Sequence, residues 1–491
     1  MQPSATTLPP LPGGAEDQAR RRHTALRHRL LTGHWQDDLE AHILECFSGI
    51  RAAELGRPDM SRNLFATVVT QIAALYTLPP VVTNEAGEEV IDPLRVEMNE
   101  AGLWQLEQRN QRFQIGMRES VIRVAAVGSP PRLQYRVVPV DAIYAEALPD
   151  EPDEPALYVE ARLRDLDGEQ VWTWDLLDVR NPDDPQYRVL MPEDESTPIS
   201  DARDMSQKYL GGEFSGDSYP YRYEDGRPFL PLALYHAQRT GRLFDWAENR
   251  SMVEGTLTVA TLWTFFLHVL KDASWPQRYS IGAILRGQTA RGTGYDARSS
   301  VPADPASILQ FTADGTTSPQ LGQWQPGGDP ERLEVAISSF ERNLAVHYGL
   351  SSSDLEQTTG AGSGYAVSLR RSAIRETQRR YEPQNRRADL QLISRSAAIA
   401  NRAGLGPFPE SGYSIHYPGL PMSREEQDQK IQAARADIDA GIASPIDLLL
   451  AKRPGLSREG AEEALATLAD ERRRLAALGI VATNNNGASA T

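Results

Sequence analysis

Two long helical patterns flank a segment rich in proline and glycine, and this order constrains the fold more than any other feature. The first pattern covers residues 245–273 and the second covers residues 329–349. At a rise of 1.5 Å per residue, the first helix would be about 40 Å long. Residues 274–328 carry few helical signals, but RYSIGAILRG and SILQFTADG are typical of short strands. The pattern predicts two long helices joined by a small compact unit.

The second helix has clear start and stop signals. Asp329 is a good N-cap, Pro330 suits the first turn, and Gly349 suits the C-terminal cap. Its apolar side chains recur at helical spacing and predict one stripe that a partner surface must cover. The stripe consists of Leu333, Ala336, Ile337, Phe340 and Leu344.

The rest of the chain divides into helical and strand-rich stretches. Residues 17–78 have a helical pattern, whereas residues 120–235 alternate between polar and apolar or β-branched side chains. Asp167-Gly168 and Asp225-Gly226 are turn signals within the strand region. Helices followed by an antiparallel sheet predict an α+β fold.

Beyond the second long helix, the sequence predicts a polar, glycine-rich loop and more helices. The loop begins at Ser351, and a helical stretch of residues 363–403 follows, with an interruption at Pro383. Three shorter helices follow, one of them beginning with Ser444 and Pro445. Residues 1–16 and the tail after residue 479 have the composition of disordered segments.

Composition excludes several classes of protein. The 491 residues are 40% hydrophobic, which suffices for the cores of two to four domains. The sequence contains no run of 18 apolar residues, so we expect no membrane span. The N-terminus lacks the apolar stretch of a secretion signal, and Cys46 is the one cysteine, so we expect no disulfide framework or cysteine metal site. A net charge of −16 argues against a protein that coats DNA.

No motif typical of nucleotide binding, metal binding or catalysis is convincing in this sequence. GAGSGY, from Gly360 to Tyr365, has neither the dinucleotide-binding spacing nor the lysine of a P-loop. GTGYDA, from Gly292 to Ala297, fits a glycine pattern but has no strand–helix context. The eight histidines are scattered, and acidic pairs lie in turns. We therefore expect no cofactor, no metal and no enzymatic activity.

One charge feature stands out. Between Gly364 and Arg402 there are nine arginines and only three acidic residues in an otherwise acidic chain. Three interpretations remain open: a solvated helix face, a contact with acidic surfaces of a neighbouring subunit, and a contact with nucleic acid.

The order of these segments resembles the portal proteins of tailed double-stranded-DNA bacteriophages. In that family a Ser-Gly-x-Ala element opens a long helix, as SGYAVSLR does here. LFATVVTQIAALYTLPPVV is similar to an early wing helix, and YPYRYEDGRPFLPLALYHA is similar to the segment that enters the stem. DIDAGIASPIDLLLAKRPGLSREGAEEALATLADE is similar to the helical crown. The resemblance covers roughly residues 45–478, although Tyr365 departs from the commonest pattern.

The resemblance implies a domain order: a wing of helices and antiparallel strands, stem helices, a small α/β clip, a tunnel loop and a helical crown. The implied boundaries are a disordered terminus 1–16, wing 17–244, stem helix 245–273, clip 274–328, second stem helix 329–349, tunnel loop 350–363, long kinked helix 364–420, crown 421–479 and disordered tail 480–491.

The resemblance also implies a function. Such proteins form a ring, usually of twelve subunits, at one capsid vertex of the virion, after assembly in the host cytoplasm. The ring is the channel for DNA packaging and ejection. Implied partners are other copies of the chain, the terminase large subunit, a head–tail connector protein, the major capsid protein, a scaffold protein and double-stranded DNA without sequence specificity.

The implied sites are three. The tunnel loop would comprise Ser353, Asp354, Glu356, Gln357, Thr358, Thr359, Gly360 and Gly362. An inter-subunit stem stripe would comprise Leu333, Ile337, Phe340 and Leu344. A basic helix would comprise Arg370, Arg371, Arg375, Arg379 and Arg380. Two alternatives remain: another phage head or connector structural protein, and a DNA-binding regulator with a C-terminal helix-turn-helix.

Overall fold

The computed structural model combines helices with antiparallel sheets, which confirms the α+β prediction. The chain forms two compact units, which are described separately. The structure describes residues 9–47, 57–83, 93–194, 197–247, 250–274, 277–281, 283–285, 311–313, 320–324, 329–348, 350, 375–418, 424–452 and 458–477.

The helices in chain order are α1 (Ala15–Thr32), α2 (Gln36–Cys46), α3 (Leu64–Ile72), α4 (Pro93–Glu100), α5 (Leu103–Met117), α6 (Ser206–Leu210), α7 (Arg250–Ser274), α8 (Pro330–His347), α9 (Glu382–Arg402), α10 (Arg424–Asp439), α11 (Pro445–Lys452) and α12 (Arg458–Ala477). The strands are β1 (Val81–Thr83), β2 (Glu119–Val127), β3 (Arg132–Val138), β4 (Ile143–Leu148), β5 (Glu151–Leu166), β6 (Glu169–Asp178), β7 (Gln186–Met191), β8 (Arg203–Asp204), β9 (Phe214–Ser215), β10 (Leu232–His236), β11 (Gln277–Ile281), β12 (Ala283–Leu285), β13 (Phe311–Ala313), β14 (Gln320–Trp324) and β15 (Ser414–His416).

The larger unit, residues 8–21, 72–245 and 358–491, contains most of the strands. Six strands form one antiparallel sheet in the order β4-β5-β6-β7-β8, with β9 also paired to β7. The predicted hairpin turn joins β5 to β6, where Asp167 and Gly168 have φ of 58° and 92°. Two successive positive φ values suit the type I′ turn that matches strand twist, so the Asp-Gly signal is confirmed.

The core of this unit lies against a second, three-stranded sheet in the order β10-β2-β3. Helices α5 and α9 pack on this sheet, and the cluster extends to the segment after α3 and the strand β15. Buried apolar residues recur along α9 at helical spacing, which explains why this helix packs where it does. They include Leu392, Ile393, Ala397 and Ala400.

Residues 9–14 are ordered, so the expectation of disorder over residues 1–16 is wrong for its described part. The indole N–H of Trp174 donates to the Pro10 carbonyl at 2.8 Å, and Leu11 is fully buried in a cluster with Leu157 and Val159. Arg21 also donates to the Pro9 and Leu11 carbonyls at 3.0 and 3.3 Å, so several contacts hold a segment whose composition suggests disorder. Residues 1–8 lie outside the described residues.

The smaller unit contains both long helices together with α2, α3 and most of α1. The Thr256 hydroxyl accepts a hydrogen bond from the Phe65 backbone at 3.0 Å, and that of Thr264 accepts one from Asp59 at 2.9 Å. Residues 22–71 therefore belong with α7, because these threonines hold the α3 region against it. The implied wing of residues 17–244 is corrected accordingly: it is divided between the two units.

The described part of residues 274–328 consists of two antiparallel strand pairs. β11 pairs with β14, and β12 pairs with β13. This nested pairing brings the end of α7 and the start of α8 to the same side of the segment. The predicted strands in RYSIGAILRG and SILQFTADG are confirmed at these positions.

The C-terminal helices α10 to α12 are largely exposed, although Ala461 is buried where α11 and α12 pack together. The predicted start at Ser444 and Pro445 is confirmed. The Ser444 hydroxyl accepts from the Asp447 backbone at 3.1 Å, and the Asp447 carboxylate accepts from the Ser444 backbone at 2.9 Å. The implied disordered tail lies outside the described residues.

Candidate functional site

Helices α7 and α8 form an antiparallel pair. Near the start of α7, Gly255 faces Leu344 near the end of α8, and a Cβ at Gly255 would lie 2.5 Å from the leucine Cδ2. Further along, Trp263 packs with Ile337, and its indole N–H donates to Glu341 at 2.7 Å. Because Gly255 has no side chain, Leu344 packs directly against the α7 backbone, and the two helices approach closely there.

Most of the predicted stem stripe packs within the chain. Ile337 is 2% exposed, and Leu333 packs beside it against Val259 and Phe266 of α7. Within the chain, α7 buries Ile337 and partly covers Leu333 and Leu344. The implied inter-subunit role of these residues stays a prediction. Phe340 differs: it is 40% exposed.

The other face of α8 carries apolar side chains that nothing in the described part of the chain covers. Val335 is 62% exposed and Val346 is 52% exposed, and near the end of α7 Leu267 and Leu270 are also exposed. Each is an ordinary surface residue alone, but together they place apolar area along both long helices. Sequence periodicity pointed to the buried stripe and missed this face.

In the described part of the chain, one helix is also apolar enough to cross a membrane by length and composition. Residues Arg250–Leu270 reach a mean hydropathy of 1.4, and half of that window is buried inside the fold. The α7 residues that pack against α8 lie in this window, and a helix in the interior of a fold has the same composition.

The implied loop and part of the basic helix lie outside the described residues. These are Ser353, Asp354, Glu356, Gln357, Thr358, Thr359, Gly360, Gly362, Arg370 and Arg371. Residues 375–380 are helical and a turn at Tyr381 separates them from α9, in line with the interruption expected at Pro383. Arg375 is half-buried, whereas Arg379 and Arg380 are exposed.

Several arginines further along bind within the chain. Arg386 pairs with Glu382 at 2.6 Å, and Arg387 lies 3.5 Å from Glu154. Arg395 donates to the Leu232 carbonyl, and Arg402 donates to that of Pro220. Part of the positive charge therefore fastens α9 to the β region, a use that none of the three sequence interpretations included.

The least expected feature of the larger unit is a buried group of two carboxyls and three tyrosines. This carboxyl–tyrosine cluster consists of Glu107, Asp389, Tyr76, Tyr235 and Tyr417, all buried. The Tyr235 hydroxyl lies 2.6 Å from Glu107 Oε1 and 2.8 Å from Asp389 Oδ1. Asp389 Oδ2 accepts from Tyr76 at 2.8 Å and from Tyr417 at 2.5 Å.

Burial dominates the electrostatics of this cluster. Burial, together with the charge of Asp389, raises the pKa of Glu107 well above its usual range. Burial likewise raises the pKa of Asp389 to about 6, although hydrogen bonds from the tyrosines act in the opposite direction. Both carboxyls and Tyr235 are at most 1% exposed, so the contacts of these groups are hydrogen bonds inside the fold.

A second buried group, on the strands, is fully ionic. Arg123 contacts Glu160 at 3.1 Å and Asp175 at 2.8 Å, with Arg136 and Arg162 at the edge. Burial acts to lower the pKa of Arg123, but the two carboxylates outweigh it and the pKa is raised. Complementary charges thus join β2 of one sheet to β5 and β6 of the other.

Two shallow grooves, of about 510 and 480 Å³, lie beside α9 and share Tyr223, Ser394 and Ser411. The arginines of the first, Arg386 and Arg387, are the ones already paired with glutamates. Among the described residues there is no group of three or more His, Cys, Asp or Glu side chains that could hold a metal ion.

No protein-family model matches the chain, and no curated protein sequence matches it. Among solved structures, a chain in the virion of a native gene transfer agent particle is similar at 14% identity and a TM-score of 0.37. The match covers 78% of this chain and 88% of that chain. These values are too low to assign a family or a function.

Proposed function

We propose that the chain is a portal protein that forms a ring around a channel for double-stranded DNA. The observation that carries the proposal is the antiparallel pair α7–α8, closed at one end by the strand pairs of residues 277–324. In the portal resemblance, this is the order of stem helix, clip and stem helix. The loop and the SGYAVSLR element follow at the expected places in the sequence.

The uncovered face of the helix pair supports assembly into a ring. Val335 and Val346 lie on the face of α8 away from α7, and Phe340, at the edge of the buried stripe, is also exposed in the single chain. In a closed ring each subunit offers such a surface to its neighbour. Burial of this area between subunits would gain about 25 cal/mol per Å² of apolar surface removed from water.

In this proposal the ring is fixed at one capsid vertex, and DNA passes through it during packaging and ejection. The terminase and a head–tail connector protein bind the ring, and capsid and scaffold proteins surround it. The chain itself contributes no catalysis. The polar loop 350–363 projects into the channel and contacts DNA without lysine or arginine, so that the DNA is free to slide.

Production of particles without this chain tests the role. The proposal predicts that capsids assemble but contain no DNA, and that the wild-type chain supplied in trans restores packaging. If heads fill with DNA in its absence, the portal role is wrong and another head or connector role becomes the better description.

A regulator with a C-terminal helix-turn-helix has less support. The helix that would enter the major groove is α12, and its first turns expose Glu459, Glu462 and Glu463. These carboxylates would meet DNA phosphates. A gel-shift experiment that gives saturable, sequence-specific binding would favour the regulator.

A further inference from the structure

The hydrogen bonds of the carboxyl–tyrosine cluster can all form only if one of its two carboxyl groups carries a proton. The Tyr235 hydroxyl has a single proton, yet it lies within hydrogen-bond distance of an oxygen of Glu107 and an oxygen of Asp389. It can donate to only one of them. The other contact is a hydrogen bond only if that carboxyl group carries a proton and donates it to the tyrosine oxygen.

The remaining contacts indicate which carboxyl is protonated. Asp389 Oδ2 already accepts from Tyr76 and Tyr417, so three hydroxyl protons point at Asp389 when Tyr235 is included. Glu107 receives one amide donor, Asn110, on Oε2 at 3.1 Å. Either carboxyl could carry the proton and leave every contact made. The arrangement with Asp389 as the carboxylate and Glu107 as the acid, donating from Oε1 to Tyr235, is favoured because it places the negative charge where three hydroxyl donors converge.

The surroundings offer no compensating positive charge. Neither Glu107 nor Asp389 has an ion pair with a lysine, arginine or histidine among the described residues. The titratable groups that act on the pair are all neutral or acidic. Besides the two carboxyls themselves, they are Tyr76 after α3, Tyr235 of β10 and Tyr417 after β15.

We propose that one proton held between Glu107 and Asp389 is a pH-sensitive lock that fastens α9 to α5 and β10. Loss of this proton would leave two adjacent buried carboxylates and would leave one tyrosine contact unmade. The inference is independent of the proposed portal role.

The sign of the pH dependence follows from the direction of the shifts. In the unfolded chain, both carboxyls lose their protons near pH 4. In the folded chain, the pKa of Asp389 is raised to about 6 and that of Glu107 is raised further, because both are buried. The stabilisation is therefore complete below pH 4 and falls as pH rises. Above pH 6, any further loss of folding stability from this cluster comes from deprotonation of Glu107 alone.

The test compares the pH dependence of unfolding of the full chain with that of Glu107→Gln. Glutamine is neutral at every pH and can donate from its amide to Tyr235. One retained proton changes the folding equilibrium constant tenfold per pH unit. We expect the ratio of the variant's folding constant to that of wild type to rise with pH above pH 6, by up to tenfold per pH unit.

Two further variants serve as controls. Glu100→Gln, at an exposed carboxyl of α4, should follow wild type at every pH. Asp389→Asn removes the acceptor of two tyrosine hydroxyls and should lower the unfolding midpoint throughout this range. If Glu107→Gln keeps the wild-type pH dependence, the proposed proton position is wrong. It is also wrong if Asp389→Asn removes the pH dependence while Glu107→Gln lowers the unfolding midpoint throughout the range.

Infrared spectroscopy provides a readout that does not depend on stability. Outside the cluster, Glu119 is another buried acid among the described residues whose pKa is raised, to about 8, so the measurement uses a Glu119→Gln chain. At pH 7 that chain should still show the carbonyl band of a protonated carboxylic acid, and a further Glu107→Gln change should remove it. Absence of the band from the folded Glu119→Gln chain at pH 7 would overturn the proposal.

Discussion

At the scale of single residues, Phe340 and Ile337 lie one turn apart on α8 but have different environments. Ile337 is buried against α7, whereas Phe340 is 40% exposed in the single chain. We predict that Phe340→Asp folds normally but does not assemble, because the carboxylate stays hydrated in the monomer and would lose water in a subunit interface. Circular dichroism measures folding, and light scattering after size-exclusion chromatography measures assembly.

Ile337→Asp is the matched control for this variant. It places a charge inside the α7–α8 contact, so we expect it to lower stability by several kcal/mol whatever the oligomeric state. If Phe340→Asp still forms the wild-type oligomer, then the exposed face of α8 around Phe340 is not an interface.

Leu11 tests whether the N-terminal segment is part of the fold. Its side chain is fully buried beside Trp174. Leu11→Ala should therefore cost about 2–4 kcal/mol in the free energy of unfolding, the range for a truncated core leucine. The neighbouring exposed variant Glu16→Ala should change stability by less than about 0.5 kcal/mol. Denaturant unfolding measures both, and equal, small effects would mean that residues 9–14 contribute nothing to stability.

At the scale of elements, the loop between α8 and α9 is expected to act on DNA rather than on assembly. We predict that deletion of residues 356–362 leaves the oligomer intact but impairs DNA packaging or retention, because the deleted residues would contact the passing DNA. Electron microscopy measures the oligomer, and the packaged genome length measures the function. Normal genome length and infectivity in the deletion would rule out a role of this loop in the channel.

Local signals in the sequence were sufficient to predict where one helix starts and where one hairpin turns. Asp329 caps α8 by accepting from the Glu331 and Arg332 backbone at 3.2 and 3.4 Å, and Asp167-Gly168 turns β5 into β6. Both signals depend on neighbours within a few residues, where side-chain chemistry decides the backbone conformation.

Long-range contacts were not predictable from the same patterns. Glu107 and Asp389 are 282 residues apart in the sequence, yet both are within hydrogen-bond distance of Tyr235. Similarly, nothing in the sequence around Arg395 indicates that its side chain donates to the Leu232 carbonyl of β10. The apolar stripe of α8 was predicted correctly, but periodicity alone does not say whether its partner is α7 or another subunit.

At the scale of the whole molecule, the net charge of −16 fits a protein that lets DNA pass. Nonspecific affinity for DNA comes largely from neutralisation of phosphates by lysine and arginine. Several arginines of α9 are already paired with glutamates or bound to carbonyls. An acidic channel wall would keep friction low, in agreement with the proposed conduit.

The most direct test of the proposed function is to image the purified full-length chain by electron microscopy and average its top views. The account predicts closed rings of uniform symmetry with a central channel wide enough for a DNA duplex, which is about 20 Å across. A monodisperse monomer that forms no ring under any condition would contradict it.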